Sequence, residues 1–207
     1  MVMIAPRGNV DARLVSSNSR IEMLTHRVAP KESLEPASVL DDAPLCDVYQ
    51  HDEFWPPQVV QISEPMVFRD VRFVILIVNP VQYKRHTGEL RVYESIDLSI
   101  EDIGGNGINE RETNPVSLTP GFKKLYSNFI NFEYSALDEL PVIPGNQLFI
   151  CQNNATVISK VNELVTWRKK KGIDASVVTI NVTGNTPAQI RSYINTQYTN
   201  SNGQLEF

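Results

Sequence analysis

The chain contains no apolar run long enough to cross a bilayer. A spanning helix needs about 20 predominantly apolar residues, whereas the longest uninterrupted run, residues 73–78, has six and is of strand length. The opening residues, Met1-Val2-Met3-Ile4-Ala5-Pro6-Arg7, lack the apolar stretch of a secretory leader. Either a cytosolic protein or a start lying further upstream is therefore expected. Cysteine is nearly absent: Cys46 and Cys151 stand far apart, with no metal-type spacing. Two unpaired, mostly buried thiols are the expected state, and a disulfide between them stays open for an oxidising compartment. No block of like charge is longer than Arg168-Lys169-Lys170-Lys171, and the formal net charge is −5. Nucleic-acid binding needs a concentrated basic face to displace counterions from phosphates, so that class is excluded. No carboxylate cluster has the pattern of a metal loop. No cofactor and no metal are expected in these residues, with calcium left open for parts of a longer protein.

What is present is ordinary globular material. Of 207 residues, 42% are hydrophobic and 21% charged, enough to bury a core and too apolar for a disordered chain. The first hundred residues read as strands. Val10, Ala12 and Leu14 alternate with Asp11 and Arg13, the Ser16-Ser17-Asn18-Ser19 cluster predicts a turn, and Ile21, Met23 and Thr25 a return strand. Residues 29–57 are too rich in proline for regular structure and read as a long surface excursion. Phe73 to Val78 suits a central strand buried on both faces. A loop ending in Gly88 and the alternation of Leu90, Val92, Ile96, Leu98 and Ile100 then predict a β-hairpin. A short helix is expected over residues 121–129, with Phe122, Leu125 and Phe129 sharing one face.

After residue 146 the period changes. Residues 147–151 form a short apolar strand, and residues 156–171 carry Val157, Ile158, Val161, Leu164 and Val165 at helical spacing. The basic end of that helix complements its dipole, and Gly172 is placed to terminate it. Residues 175–180 make a second strand. Thr186-Pro187-Ala188-Gln189 opens a second helix with a capping pattern, burying Ile190, Tyr193 and Ile194. Residues 204–207 begin a third strand. The fold class is thus mixed: an N-terminal all-β region, antiparallel and sandwich- or barrel-like, then an incomplete α/β segment of βαβα order. The expected domains are residues 1–132, a connection over 133–146, and residues 147–207. Two strands and two helices do not close a doubly covered sheet, so a truncated α/β domain is expected.

Two stretches carry a family likeness. The first is Phe54-Trp55-Pro56-Pro57, then Phe68-Arg69-Asp70-Val71-Arg72, then Asn79-Pro80-Val81-Gln82-Tyr83 and Gly88-Glu89-Leu90-Arg91-Val92-Tyr93. In order and spacing it resembles the propeptides of gingipain-type (family C25) cysteine peptidases. The second, from Leu148 through Trp167-Arg168-Lys169-Lys170-Lys171-Gly172 to Gly184-Asn185-Thr186-Pro187 and Tyr193-Ile194, resembles the opening of the C25 catalytic domain. The resemblance implies a secreted bacterial cysteine endopeptidase with a caspase-like fold, made as a zymogen behind a β-rich propeptide. Its expected partners are the remainder of its own catalytic domain and, for the whole enzyme, protein substrates. The family's His and Cys dyad lies on later strands, and no residue here matches it. No catalytic, cofactor-binding or metal-binding residue is therefore assigned.

Four features compete for attention. Cys151 ends a parallel strand, where α/β folds place their sites. A nucleophilic thiol nevertheless needs a nearby base, and His26, His51 and His86 all lie in the β region, so a structural thiol is expected. Cys46 and His51 read as chance neighbours on a loop. The basic run 168–171 reads as a solvated helix end, and Trp167 as packing residue. Lys84-Arg85-His86 reads as a polar turn, with a basic plug for a substrate cleft as the second reading. Two other functions stay open: a non-catalytic adhesion or assembly module on a peptidase-like scaffold, and a sortase-like component of a bacterial secretion system.

Overall fold

The computed structural model describes residues 1–26, 28, 52–112 and 115–206. Most of the expected proline-rich excursion, with Cys46 and His51, lies outside the described residues. In chain order the strands of the β region are β1 (Val2–Met3), β2 (Asn9–Met23), β3 (Val60–Ile62), β4 (Met66–Phe68), β5 (Val71–Val74), β6 (Leu76–Val78), β7 (Val81–Lys84) and β8 (Glu89–Gly104). Then follow α1 (Pro120–Tyr126), a 3-10 turn (Phe132–Tyr134), β9 (Asn146–Cys151), α2 (Ala155–Lys170), β10 (Asp174–Thr179), α3 (Ile180–Thr183) and α4 (Pro187–Asn200). Antiparallel sheets thus precede a parallel strand pair with helices. The chain divides into two compact units: Met1–Pro6, Arg69–Val71 and Arg111–Phe207 in one, Arg7–Phe68 and Arg72–Glu110 in the other.

The β unit is built on a long ribbon. β2 and β8 pair antiparallel from Asn9↔Gly104 to Met23↔Glu89, and β7 flanks β8 as the expected hairpin, from Val81↔Val92 to Lys84↔Glu89. Its loop closes through Gly88 N–H to the Lys84 carbonyl at 2.9 Å, with Gly88 at φ 74°, a conformation glycine adopts without penalty. The turn expected at residues 16–19 does not form. β2 runs straight through because β8 offers a partner along its whole length, and polar side chains of the segment bond across the strands. Ser16 Oγ, for instance, donates to Asp97, and Asn18 Nδ2 donates to Glu94 at 3.1 Å. Register shifts at Asn9/Val10, Leu14/Ser16 and Asn18/Ser19 mark bulges that leave Ile103, Val15 and Glu94 as the extra residues, and Val15 and Ile103 are exposed.

The expected two-faced strand over residues 73–78 is also corrected. β5 ends at Val74 and β6 begins at Leu76; β5 neighbours β4, while β6 pairs with β3. Val74 is fully buried, yet Ile75, Ile77 and Val78 are exposed. The apolar run predicts one strand because periodicity cannot show a change of partner.

In the α/β unit, β9 and β10 pair parallel, from Asp174↔Asn146 to Thr179↔Cys151. Asn146 also bridges Leu205 in parallel, the start of the expected third strand. The Asn154 side chain caps α2, accepting from Thr156 and Val157 N–H at 2.9 and 3.3 Å. Gly172, at φ 78°, ends it. The capping box of Thr186 and Gln189 opens α4 as expected. The faces are narrower than the sequence pattern: on α2, Val165 is buried and Ile158 and Val161 half-buried, while Val157 and Leu164 are exposed. On α4, Ile190 and Tyr193 are half-buried and Ile194 is exposed. Around α1 the buried residues are Tyr126 and Phe129, and Leu125 points outward at 44% exposure. The Tyr126 and Phe129 ring centres lie 6.2 Å apart, and Phe132 and Leu118 are buried as well. Residues 141–143 pair with Leu118, whose N–H donates to the Pro141 carbonyl at 3.0 Å and whose carbonyl accepts from Ile143 at 2.9 Å.

Beside the ribbon's end, Glu110 accepts from the Gly107 and Gly8 N–H groups at 2.6 and 2.9 Å. These two bonds hold its carboxyl below the usual range. A Cβ on Gly107 would stand 2.0 Å from the Gly8 carbonyl oxygen, which is backbone and has nowhere to go. Gly107→Ala is therefore expected to destabilise the protein by about 1–3 kcal/mol, as overpacking does. A lowered denaturant midpoint checks this; an unchanged one refutes the close approach.

Candidate functional site

Most of the polar residues in the first motif stretch form two buried networks, one in each unit. In the β unit the hub is Gln82, only 3% exposed. Its Nε2 donates to the Pro56 carbonyl at 2.6 Å, and its Oε1 accepts from Arg91 Nη1 at 3.2 Å and Tyr93 Oη at 3.0 Å. The Arg91 guanidinium lies 3.8 Å from the centre of the Phe54 ring, a cation–π contact. Trp55 and Tyr83 exchange backbone hydrogen bonds at 2.9 and 2.8 Å, and Asn79 Nδ2 donates to the Gln58 carbonyl at 2.7 Å. Residues 54–58 are thereby stitched to the hairpin. Arg72, 2% exposed, donates through Nε to the Ile108 carbonyl at 2.9 Å.

The second network is the strongest concentration of buried charge and lies wholly within the α/β unit. Arg69 and Asp70 occupy the turn between β4 and β5, with Arg69 at φ 53°. Arg69 Nε meets Asp70 Oδ2 at 3.2 Å, and the two side chains are 13% and 10% exposed. Arg69 Nη2 donates to the Gly203 carbonyl and, at 2.9 Å, to that of Leu205, and its guanidinium sits 3.8 Å from the Phe122 ring centre. Asp70 Oδ1 accepts from Tyr198 Oη and from Arg111 Nη2 at 3.5 Å. The Asp70 N–H donates to Tyr126 Oη at 3.4 Å, and Arg111 Nη1 donates to the Arg69 carbonyl. Two guanidiniums thus share one carboxylate, and backbone carbonyls take up further donors. Burial pushes the Tyr126 phenol up, with the Asp70 charge adding to it. Burial and the hydrogen bond to Asp70 push Tyr198 up as well. Such an arrangement holds segments together; it offers no nucleophile and no proton donor suited to neutral pH.

The residues weighed in the sequence fall elsewhere. Cys151 is a half-buried free thiol at the end of β9, opposite Thr179. The unit that contains it has no histidine, because His26 and His86 belong to the β unit. His51 and Cys46 lie outside the described residues. Trp167 is exposed, not packed in a core, with Lys171 Nζ 4.0 Å and the Arg168 guanidinium 5.0 Å from its ring centre. At the hairpin tip Lys84 pairs with Asp52 at 3.4 Å, and His86 is exposed. Among the described residues no group of three or more His, Cys, Asp or Glu is placed to hold a metal ion, and no helix is long and apolar enough to cross a membrane. Arg69, Asp70, Gln82 and Arg91 stand in the family-like motif, but nothing in the sequence shows how they pair. Arg111 and Tyr198 gave no signal at all, since their partner stands 41 and 128 positions away.

The chain thus joins an antiparallel β region to a parallel α/β strand pair with helices. The family model described as Propeptide_C25 matches residues 15–137, and the chain belongs to that family. It is similar to Gingipain R2 of Porphyromonas gingivalis, 26% identical over 133 residues, which are 62% of this chain and 18% of that protein. Lys-gingipain HG66 of the same organism is 23% identical over 180 residues, 86% of this chain and 10% of its own length. The chain therefore spans less than a fifth of these relatives. Among solved structures, the complex of Porphyromonas gingivalis RgpB pro- and mature domains matches with a TM-score of 0.53 at 23% identity, over 65% of this chain and 68% of that one. That likeness is one of fold.

The raised phenols set an alkaline limit. Below the unfolded value near pH ~10 both states hold these protons and the networks contribute fully; above it the unfolded chain ionises first, so stability falls as pH rises toward the folded values. Tyr198→Phe is expected to make the loss above pH ~10 shallower. Unfolding midpoints of both proteins across that range check it, and identical slopes count against a buried Tyr198.

Proposed function

We propose that this chain is the pro-region of a gingipain-type cysteine endopeptidase joined to the first βαβα part of the enzyme, and that the pro-region keeps the enzyme latent and assists its folding. The observation that carries this reading is the family match over residues 15–137, followed at once by the parallel β9–α2–β10 unit. On this reading residues 1–132 are the propeptide-like domain, 133–146 the connection and 147–207 the opening of a caspase-like peptidase domain. The end of the matched range at residue 137 supports that placement. The partner is the remainder of the catalytic domain, a reading supported by the solved complex of RgpB pro- and mature domains. The whole protein acts on protein substrates outside the bacterial cell, as a secreted or surface enzyme. Its His and Cys dyad lies outside this chain, and Cys151 is a structural thiol.

Two measurements test the proposal. This chain alone is expected to show no peptide hydrolysis, and turnover abolished by Cys151→Ala would overturn the assignment of that thiol. A precursor extending through the dyad is expected to be latent until residues 1–132 are removed, after which hydrolysis rises. Equal activity before and after removal would overturn the inhibitory role.

A further inference from the structure

We infer that the Arg69–Asp70 turn is a docking element that templates the third strand of the α/β sheet, by seizing the turn that follows α4. This deepens the proposed folding role and rests on reading residues 147 onward as the opening of the enzyme domain. The geometry is directional. One guanidinium nitrogen of Arg69 donates to two carbonyls, of Gly203 and Leu205, which bracket the point where the chain leaves the turn and enters the strand. Asp70 fixes the end of α4 through Tyr198 Oη, five positions before Gly203. Helix end and strand start are thus held by adjacent residues of one turn, and Arg69 itself is oriented by Asp70 and the Phe122 ring.

What this capture aligns is the pairing of the new strand with β9. The Asn146 N–H donates to the Gln204 carbonyl at 2.9 Å, and the Glu206 N–H donates to the Asn146 carbonyl at 2.9 Å. Gln204 lies between the two carbonyls that Arg69 holds. Past that point Thr119 Oγ1 donates to Glu206 Oε1 at 3.0 Å, and Gly121 and Gly145 leave room for that carboxylate, since a Cβ on either would come within 2.4 Å of it. A strand that begins with two backbone bonds to its neighbour needs such outside support, because pairing so few residues does not offset the entropy of ordering them. The same guanidinium reaches Asp70 through Nε while its plane lies against the Phe122 ring, a fork and a flat face that an ammonium lacks, so the device depends on arginine at residue 69.

Hydrogen exchange on the full chain tests this, comparing the natural protein with Arg69→Lys and Tyr198→Phe. If the turn templates the strand, the amides of Asn146 and Glu206 exchange about tenfold faster or more in both variants, while those of Val177 and Val178 in β10 keep their rates. Unchanged exchange at Asn146 and Glu206 overturns the inference, and so does equal acceleration across β9 and β10, which marks general destabilisation only. Tyr198→Phe preserves the ring and gives an answer even where the lysine variant fails to fold. Failure here leaves the latency measurement untouched, so the two readings stand or fall separately.

Discussion

A carboxylate or guanidinium withdrawn from water must find partners for nearly all of its hydrogen-bonding groups, because an unpaired buried charge costs several kcal/mol. The five residues from Phe68 to Arg72 include three such side chains, Arg69, Asp70 and Arg72, and much of the local architecture follows from their partners. Arg72 reaches the Ile108 carbonyl in the β unit. Asp70 gathers Arg69, Arg111 and Tyr198 in the other. Arg69 turns Nη2 to the Gly203 and Leu205 carbonyls. Each partner must arrive in one orientation, so the charges select a single arrangement of the segments that supply them. Burial of Tyr126, Phe129, Phe132 and Leu118 supplies the non-directional part; the charges decide which way the pieces face.

The Gln82 hub follows the same rule with neutral groups. An amide has two donors and an acceptor with two lone pairs, and here the oxygen receives Arg91 and Tyr93 while the nitrogen serves Pro56. Pro56 has no N–H to contribute to a strand, so its carbonyl is the group that needs an external donor. The hub thereby anchors an irregular, proline-containing segment to a regular hairpin. That is how residues unable to join a ladder become part of a fixed surface.

Sequence reading succeeded where structure is set by neighbours in the chain. The Thr186–Gln189 capping box, the glycine stop at Gly172, the hairpin around Gly88 and the strand order of the α/β segment are all local chemistry. It failed where a distant partner overrides local preference. Ser16 to Ser19 is a good turn sequence, yet β8 supplies a partner opposite each of these residues and the strand continues. The run from Phe73 to Val78 has the composition of one buried strand, but Ile75 is the point where one neighbour is exchanged for another. Leu125 was expected inside from its spacing, while the core formed around Tyr126, whose hydroxyl had Asp70 to meet. The Asp70 network itself was illegible, because nothing in a single sequence ties residue 70 to residues 111 and 198.

Topology explains why Cys151 attracts attention. Asn146 pairs with Asp174 of β10 and also with Leu205; one residue has two edges, so β10 and the new strand flank β9 on opposite sides. The chain thus moves from β9 to one side and then returns to the other, and the order reverses at β9. In open parallel sheets the crevice beyond the carboxyl ends at such a reversal is where ligands bind, and Cys151 sits at that end of β9. Position alone does not make a nucleophile. The thiolate must be generated, by a base or by a concentrated positive field, and the unit offers no histidine at all. Arg69 and Arg111 are engaged with Asp70, and Arg168 lies beside Trp167. The strand therefore delivers a half-buried thiol to that edge of the sheet with no histidine in the same unit to serve as its base.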